Sequence, residues 1–315
     1  MSLFYTAYII LYVIQLLSIS FASADNNRNR FEKQTYQRII SSNTTLSIEI
    51  IPSSVECACV CSMVKQCCST SYETASGRCI LDTRAKPETE TTDNSNIMVK
   101  IPDQSNLQPR DCSDLPPCTR SGVFEIYPDV TNKIDVYCDM DTNGGGWTII
   151  QRRVNSSVNF YRFWSDYKYG FGSVFENHWL GNDNLHMLTT SRKYVVRFEV
   201  HDFNNDTAYA EYQSFKVENE ASRYRVTFSG YTGTAGNGFE GNNGMQFTTR
   251  DRDNDLHKHH CGKGQQGAWW YNKCGKSSLN GMFKPEGTSL AKMIYWKTWR
   301  STTLKATEMK IRPIN

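Results

Sequence analysis

A run of closely spaced carboxylates gives this sequence its clearest metal-binding signal. Asp251, Asp253 and Asp255 alternate with other residues in a polar segment. Neighbouring carboxylates repel one another unless something neutralises them, and calcium takes about six to eight oxygen ligands. An EF-hand loop starting at Asp251 would need glycine at its sixth position and glutamate at its twelfth, but Leu256 and Gly262 stand there. The segment is therefore either a cation site of another type or a solvated acidic turn.

Basic and imidazole side chains flank the acidic segment and allow two further interpretations. Arg250 and Arg252 could balance the carboxylates in a solvated turn without any metal. His257, His259 and His260 follow directly, and imidazoles suit zinc and copper. We interpret these histidines as exposed loop residues, with weak binding of such ions as the alternative. Because histidine gains its charge near pH ~6.5, we expect the loop to be mildly sensitive to acid.

The sequence lacks the short motifs that accompany common catalytic machineries. It contains no Gly-x-Ser-x-Gly nucleophile motif and no His-Glu-x-x-His zinc motif. Gly144-Gly145-Gly146 lacks the Lys-Ser/Thr pair that a phosphate-binding loop needs. We therefore predict that the protein is not an enzyme. The net charge of +3 gives no reason to expect a nucleic-acid partner.

The N-terminus and the cysteine content indicate export from the cell. Residues 3–22 are almost wholly apolar, and Ala22-Ser23-Ala24 forms a small-x-small cleavage pattern. We predict a signal peptide over residues 1–24 and a secreted, extracellular protein with no membrane span after cleavage; a retained anchor is the alternative. Eleven cysteines fit an oxidising compartment. Sequons at Asn43, Asn155 and Asn205 predict a glycoprotein.

Six cysteines crowd into one short segment, which indicates a small module stapled by disulfides. They are Cys57, Cys59, Cys61, Cys67, Cys68 and Cys79. Their spacing resembles the cysteine core of PAN/apple modules, and the alternative is a cysteine-rich stalk. We assign residues 25–82 to this module and the polar stretch 83–108 to the end of it and a linker. If the six pair among themselves, Cys118 is left over, and it either links two chains of a homo-oligomer, stays free or pairs locally.

From residue 109 onward, short alternating segments indicate strands separated by turns. We predict strands at 123–127, 134–138, 147–153, 195–200, 209–215, 224–229 and 307–311, and short helices at 165–171 and 182–190. After about residue 233 the chain consists mainly of loops until the last strand, and long loops held by a disulfide or an ion tend to carry binding sites.

A series of motifs in this region resembles the fibrinogen-related domain over roughly residues 109–315. They are Arg110-Asp111-Cys112, Val136-Tyr137-Cys138-Asp139-Met140-Asp141, Gly144-Gly145-Gly146-Trp147-Thr148, Trp179-Leu180-Gly181-Asn182, Arg250-Asp251-Arg252-Asp253-Asn254-Asp255 and Gly267-Ala268-Trp269-Trp270-Tyr271. The resemblance implies an α+β fold: a fibrinogen C-terminal-like domain with a central antiparallel sheet, few short helices and a loop-rich calcium- and ligand-binding subdomain, here preceded by the small disulfide-rich module. It further implies the disulfides Cys112–Cys138 and Cys261–Cys274.

The same resemblance implies a calcium site and a ligand pocket. Calcium would take carboxylate oxygens from Asp253 and Asp255 and backbone oxygens from His257 and His259. The pocket would lie beside the calcium loop and the Cys261–Cys274 disulfide. Its candidate residues are His260, Cys261, Gln265, Trp270, Tyr271, Cys274, Gly275, Leu290 and Lys292. The tryptophan pair and Tyr271 would either offer a surface for stacking sugars or belong at least partly to the core.

The pocket departs from the pattern of acetyl-binding members at the positions that set specificity. His260 stands where asparagine is usual, while Gln265, Gly275 and Leu290 replace two tyrosines and a histidine of that pattern. Lys292 replaces the aspartate of an Ala-Asp-Gly segment. We therefore expect a changed ligand, with Lys292 favouring an anionic group such as sialic acid.

Two functions follow from the resemblance. The first is a secreted, calcium-dependent, lectin-like pattern-recognition protein of innate immunity that binds carbohydrate or acetylated, sialylated or other anionic surface ligands. The second is an extracellular adhesion or signalling ligand that binds a protein partner through the same surface without sugar binding. Because single lectin sites are weak, the first function also predicts a homo-oligomer.

Overall fold

The alternating segments of the sequence form two sheet-containing units. The structure, a computed structural model, describes residues 30–64, 66–101, 108–129, 131–284 and 292–314. The predicted signal peptide and Leu290 lie outside the described residues. One unit contains the described residues up to 101 together with 116–119, and the other contains 108–115 and the described residues from 120 onward.

The first unit is an antiparallel sheet with one helix packed on it. Its elements are β1 (Arg30–Ile39), β2 (Thr45–Ile50), α1 (Ser54–Met63), β3 (Ser69–Glu73), β4 (Arg78–Asp82) and β5 (Thr89–Ile101). The strand order is β1-β5-β3-β4-β2. Ser53 begins α1 as its N-cap, because its hydroxyl accepts a hydrogen bond from the Glu56 N–H at 3.2 Å. Resemblance to PAN/apple modules stays a prediction.

Helix α1 explains which cysteines pair. Cys57 and Cys61 are four residues apart, so they share the buried face of the helix, and they bond to Cys79 and Cys67. Cys59 lies on the opposite face, exposed and free. Cys118 pairs with Cys68 within this unit. The condition that the six cysteines pair among themselves is not met, so Cys118 is not left over, and Cys59 is the cysteine without a disulfide partner.

The predicted linker 83–108 is wrong over most of its described length. Strand β5 runs through it and pairs with both β1 and β3. Its second half contributes Ile97, Met98 and Val99 to the buried residues of this unit. The first half is polar because it is largely solvent-exposed within a long strand, and composition alone does not distinguish such a segment from a linker.

The second unit has an α+β fold with a central antiparallel sheet, as predicted. Its elements are β6 (Gly122–Ile126), β7 (Ile134–Asp139), β8 (Trp147–Arg153), α2 (Trp164–Tyr169), β9 (Phe171–Gly172), β10 (His178–Trp179), α3 (Asn182–Ser191), β11 (Tyr194–His201), β12 (Thr207–Val217), β13 (Val226–Gly233), α4 (Cys261–Gly264), β14 (Ser277–Ser278), β15 (Tyr295–Trp296) and β16 (Ala306–Pro313). The large sheet runs β13-β12-β11-β16-β8-β10-β9, with the β6–β7 hairpin joined to β8. The last strand of the chain thus lies between β11 and β8.

Aromatic side chains fill the core beneath this sheet. Trp147, Trp164 and Trp179 are at most 3% exposed, as expected for core residues. The predicted Cys112–Cys138 disulfide is present and joins the segment before β6 to β7. In the described part of the chain, no helix has the length and apolar composition needed to cross a bilayer. The long stretch between β13 and β16 is almost entirely loop, and it contains the candidate site.

Candidate functional site

The loop that carries Asp251, Asp253 and Asp255, called the acidic loop below, is closed at its base by hydrogen bonds. Thr248 and Trp269 pair through their backbones, with N···O distances of 2.9 and 3.1 Å. Asn254 donates from Nδ2 to the Phe247 carbonyl at 2.7 Å, and its N–H donates to Thr248 Oγ1 at 3.1 Å. These bonds fix both ends of the segment that carries the aspartates.

Asp251 serves to anchor the loop. Its Oδ1 accepts hydrogen bonds from the Trp164 N–H at 2.9 Å and from Thr249 Oγ1 at 2.7 Å. The first aspartate of the alternating series is thus used for positioning. Asp253 and Asp255 remain as the carboxylates that could bind a ligand.

The carboxylates of Asp253 and Asp255 lie together beside the imidazole of His260. One candidate ligand atom from each of these residues lies within 4.8 Å of the other two. Burial raises the pKa of the Asp255 carboxyl, and the neighbouring Asp253 carboxyl raises it further. A partly buried pair of like charges is stabilised by a divalent cation. The two carboxylates have the chemistry that the predicted calcium site requires, and calcium binding by Asp253 and Asp255 stays a prediction.

Backbone groups orient Asp255. Its Oδ1 accepts from the His257 N–H at 2.9 Å, and its Oδ2 accepts from the Cys261 N–H at 2.8 Å. The second bond couples the acidic loop directly to the Cys261–Cys274 disulfide, which is present as predicted. Because a Cβ atom on Gly262 would lie 2.8 Å from the Thr249 carbonyl oxygen, only glycine allows α4 to approach the loop this closely.

The three loop histidines differ in their surroundings. His259 is exposed, and its carbonyl oxygen lies 3.1 Å from His257 Nδ1. The side chain of His260 is only 15% exposed, so the expectation of an exposed histidine is wrong at this position. Its place directly before α4 and the disulfide explains the burial. The backbone oxygens of His257 and His259 stay predicted calcium ligands.

The disulfide and one hydrogen bond gather several predicted pocket residues. The Cys261–Cys274 disulfide links the segment 260–265 to Gly275, the residue after Cys274. The Lys292 N–H donates to Gln265 Oε1 at 3.4 Å. Lys292, which replaces the aspartate of the Ala-Asp-Gly segment, therefore lies beside Gln265. The described residues contain no cis peptide bond, so the His260–Cys261 bond is trans.

Two predicted pocket residues belong to the core instead. Trp270 and Tyr271 are completely buried, as is Trp269, so none of these rings is open to a sugar. The Trp270 indole packs on Phe247 at a centroid distance of 5.1 Å, and its Nε1 donates to the Tyr224 carbonyl at 2.7 Å. Paired aromatic residues bury a large apolar area, and here that burial places all three rings in the hydrophobic core.

Exposed lysines accompany the candidate pocket residues, and of these lysines the sequence patterns point only to Lys292. Each is exposed and lies close in sequence to a candidate pocket residue or is linked to one by backbone hydrogen bonding. They are Lys258, Lys263, Lys273, Lys276, Lys292 and Lys297. They are spread over several loops, and their spacing in the sequence does not reveal that the Lys297 N–H donates to the Lys276 carbonyl at 2.8 Å. Arginine makes most of the ion pairs with carboxylates elsewhere in the described residues, whereas none of these lysines takes part in one.

The sequon asparagines Asn43, Asn155 and Asn205 are all exposed, so glycosylation at these positions stays a prediction compatible with their placement.

The second unit has an antiparallel sheet and a loop-rich subdomain. In that subdomain a disulfide-bonded cysteine donates a hydrogen bond to the acidic loop. These features together define a fibrinogen-type domain. Residues 108–314 match the family model described as the C-terminal globular domain of fibrinogen beta and gamma chains. The chain belongs to this family. Its members are non-enzymatic lectin and ligand proteins, so the chain is not an enzyme.

Three proteins that are similar to this chain illustrate the range of the family. Techylectin-5A from Tachypleus tridentatus is 44% identical over 217 residues, which cover 65% of this chain and 74% of that protein. Fibrinogen C domain-containing protein 1 from Xenopus tropicalis is 43% identical over 65% of this chain, but the match spans only 48% of that protein. The structure of lamprey fibrin D-dimer complexed with the peptide ligand Gly-His-Arg-Pro-amide is similar, with a TM-score of 0.61 and 33% identity over 66% of this chain and 74% of that one.

Proposed function

We propose that the protein is a secreted, calcium-dependent, lectin-like recognition protein that binds carbohydrate or acetylated or anionic surface groups in innate immunity. The observation that carries this proposal is the hydrogen bond from the Cys261 N–H to Asp255 Oδ2 at 2.8 Å. A calcium ion on Asp253 and Asp255 would order the same loop that holds one side of the disulfide-bonded pocket. Five intramolecular disulfides support an extracellular location.

The charge around the pocket supports an anionic ligand. Lys292 stands at a position that carries aspartate in acetyl-binding members, and Lys263 and Lys276 lie beside the disulfide. A carboxylate such as that of sialic acid would meet several cations that are free to pair with it. Gln265 and Gly275 lack the aromatic rings of the acetyl-binding pattern, so hydrogen bonds and charge take a larger part in recognition.

Binding of the purified mature protein to a broad glycan array, with calcium and then with a chelator, tests the proposal. We expect calcium-dependent binding enriched in sialylated glycans. Equal signals on neutral and sialylated glycans would contradict the anionic preference. An absence of glycan binding by folded, calcium-loaded protein would contradict the lectin function.

The second candidate function is recognition of a protein partner through the same surface. The similar lamprey fibrin D-dimer is complexed with a peptide ligand, which supports this candidate, and the exposed lysines of this chain would suit an acidic peptide. Simple sugars distinguish the two candidates, because they would compete with a surface glycan and leave a protein partner bound.

Multivalency would raise the avidity of a weak single site. The exposed thiol of Cys59 is the group through which two chains could be joined covalently, and Val55 and Met63 lie exposed one helical turn on either side of it. We therefore propose a homo-oligomer that contains a Cys59–Cys59 bond between chains.

A further inference from the structure

The imidazole of His260 carries an unused hydrogen-bonding atom inside the acidic loop. Its Nδ1 is buried and has no hydrogen-bond partner. The same atom lies 4.0 Å from Asp253 Oδ1. Buried polar atoms in folded proteins nearly always have a partner, because an unpaired one loses its hydrogen bonds to water without replacement. The nitrogen therefore needs a partner on the side of the carboxylates.

The distance between His260 Nδ1 and Asp253 Oδ1 distinguishes a direct hydrogen bond from a shared metal ion. At 4.0 Å the nitrogen and the Asp253 oxygen are too far apart for a direct hydrogen bond. Tetrahedral zinc binds imidazole nitrogen and carboxylate oxygen at about 2.0–2.2 Å and so holds two ligands roughly 3.4 Å apart, which means that binding would draw these two side chains together by about 0.6 Å. The Asp255 carboxylate completes a group of three donors within 4.8 Å of one another.

We propose that Asp253, Asp255 and His260 form a mixed nitrogen–oxygen site for a first-row transition-metal dication such as zinc. This proposal rests on the proposed function, because both place a cation on the two carboxylates of the acidic loop, where zinc and calcium would compete. Calcium prefers oxygen ligands, whereas an imidazole favours the later first-row metals. Because of its imidazole, His260 would allow the acidic loop to bind a later first-row metal as well as calcium.

The surrounding bonds support a metal-binding role for these side chains. Asp255 receives the N–H groups of His257 and Cys261, which orient the carboxylate as outer hydrogen bonds orient ligands in known metal sites. A second grouping, His257 with Cys261 and Cys274, is not a competing site, since both sulfurs are committed to the disulfide.

The test measures zinc and calcium binding separately in the full mature chain. We would titrate zinc by calorimetry and calcium by terbium displacement, using wild type, His260→Asn and His259→Asn with the Cys59 thiol alkylated. His259→Asn is the matched control, because it removes an exposed imidazole from the same loop and leaves in place the backbone carbonyl that is the predicted calcium ligand at this position. Loss of an outer-sphere partner typically costs about 10–100-fold in metal affinity, so removing a direct ligand should weaken zinc binding at least about tenfold. Calcium binding should persist in both variants.

A direct readout keeps the inference testable should His260→Asn be poorly folded. The zinc-edge X-ray absorption spectrum of the wild type should show one imidazole among oxygen ligands. Equal zinc affinity in wild type and His260→Asn, a loss confined to His259→Asn, or a spectrum without imidazole would overturn the inference. Zinc binding that depends on His260 in a protein that does not bind calcium would sustain it while refuting the calcium part of the proposed function.

Discussion

The carboxylate of Asp251 accepts a hydrogen bond at 2.9 Å from the backbone N–H of Trp164, a residue 87 positions earlier in the chain. Trp164 begins α2, and its ring stacks on Tyr224 with centroids 5.3 Å apart inside the core. The position of the acidic loop is thus set by the hydrophobic core. Two aspartates two residues apart consequently have different tasks: Asp251 holds the loop, and Asp253 faces the candidate cation site.

Replacing Asp251 should destabilise the fold. We expect Asp251→Ala to lower the free energy of unfolding by about 1–2 kcal/mol, because the Trp164 N–H and the Thr249 hydroxyl lose their acceptor. Chemical denaturation in chelator measures this change. Asp253→Asn is the matched control and should not destabilise the protein under these conditions. Equal destabilisation by both substitutions would contradict the separate roles.

Replacing Asp253 should separate intrinsic stability from the response to cations. In chelator, Asp253→Asn should raise the free energy of unfolding by up to about 1 kcal/mol, because it removes a like charge beside Asp255. Added calcium should raise the Tm of the wild type, since a ligand present at about 100 times its Kd stabilises by about 2.7 kcal/mol. The variant should lose most of this rise. A calcium-induced rise of wild-type size in Asp253→Asn would show that calcium binds elsewhere.

Local sequence patterns were sufficient for much of the second unit. Strand β8 has the predicted bounds, Trp147–Arg153, and a glycine turn directly before Trp147 sets where it begins. Helix α3 starts at the predicted Asn182 and extends one residue past the predicted end. The aspartates of the cation loop were also identifiable, since closely spaced carboxylates are a chemical signal that needs no tertiary information.

The errors arose where distant parts of the chain decide the outcome. The polar half of strand β5 resembles a linker in sequence, because the pairing with β1 that makes it a strand involves residues far away in the chain. Cys118 pairs with Cys68 across 50 residues, a pairing that spacing cannot reveal. Burial of Trp270 and the partial burial of His260 likewise depend on what packs above each residue.

His178 should make the domain sensitive to acid. Burial lowers the pKa of this histidine to about 4, below the ordinary value near 6.5 that it regains on unfolding. The unfolded chain therefore binds the proton more readily, so stability contributed by the neutral ring is complete above pH ~6.5 and falls as the pH drops to about 4. The loss amounts to about 3 kcal/mol. His178→Phe, which replaces the imidazole by a ring that cannot titrate, should flatten this dependence in denaturation curves at a series of pH values. An unchanged slope between wild type and variant would contradict the assignment.

Cys59 should govern covalent association. The protein purified without reductant should run partly as a disulfide-linked dimer, because Cys59 is exposed and its five disulfide-bonded neighbours in the module are occupied. Cys59→Ser should remove the dimer band on non-reducing gels while leaving the Tm unchanged. Ser62→Ala, on the same helix, is a control that should leave the dimer intact. A wild-type protein that is entirely monomeric, with one thiol open to alkylation, would refute the covalent oligomer.

Lys292 should decide between anionic and neutral ligands. Its backbone N–H bonds to Gln265 beside the disulfide, and its side chain is exposed there. A hydrogen bond to a charged group contributes about 1.5–3 kcal/mol, so Lys292→Glu should weaken binding of sialylated glycans by at least about tenfold. Lys193→Glu makes the same charge change at an exposed lysine between α3 and β11 and should have little effect. Raised salt should weaken wild-type binding, because exposed charges are screened. Similar losses in the two variants would mean that overall charge, and not Lys292, controls binding.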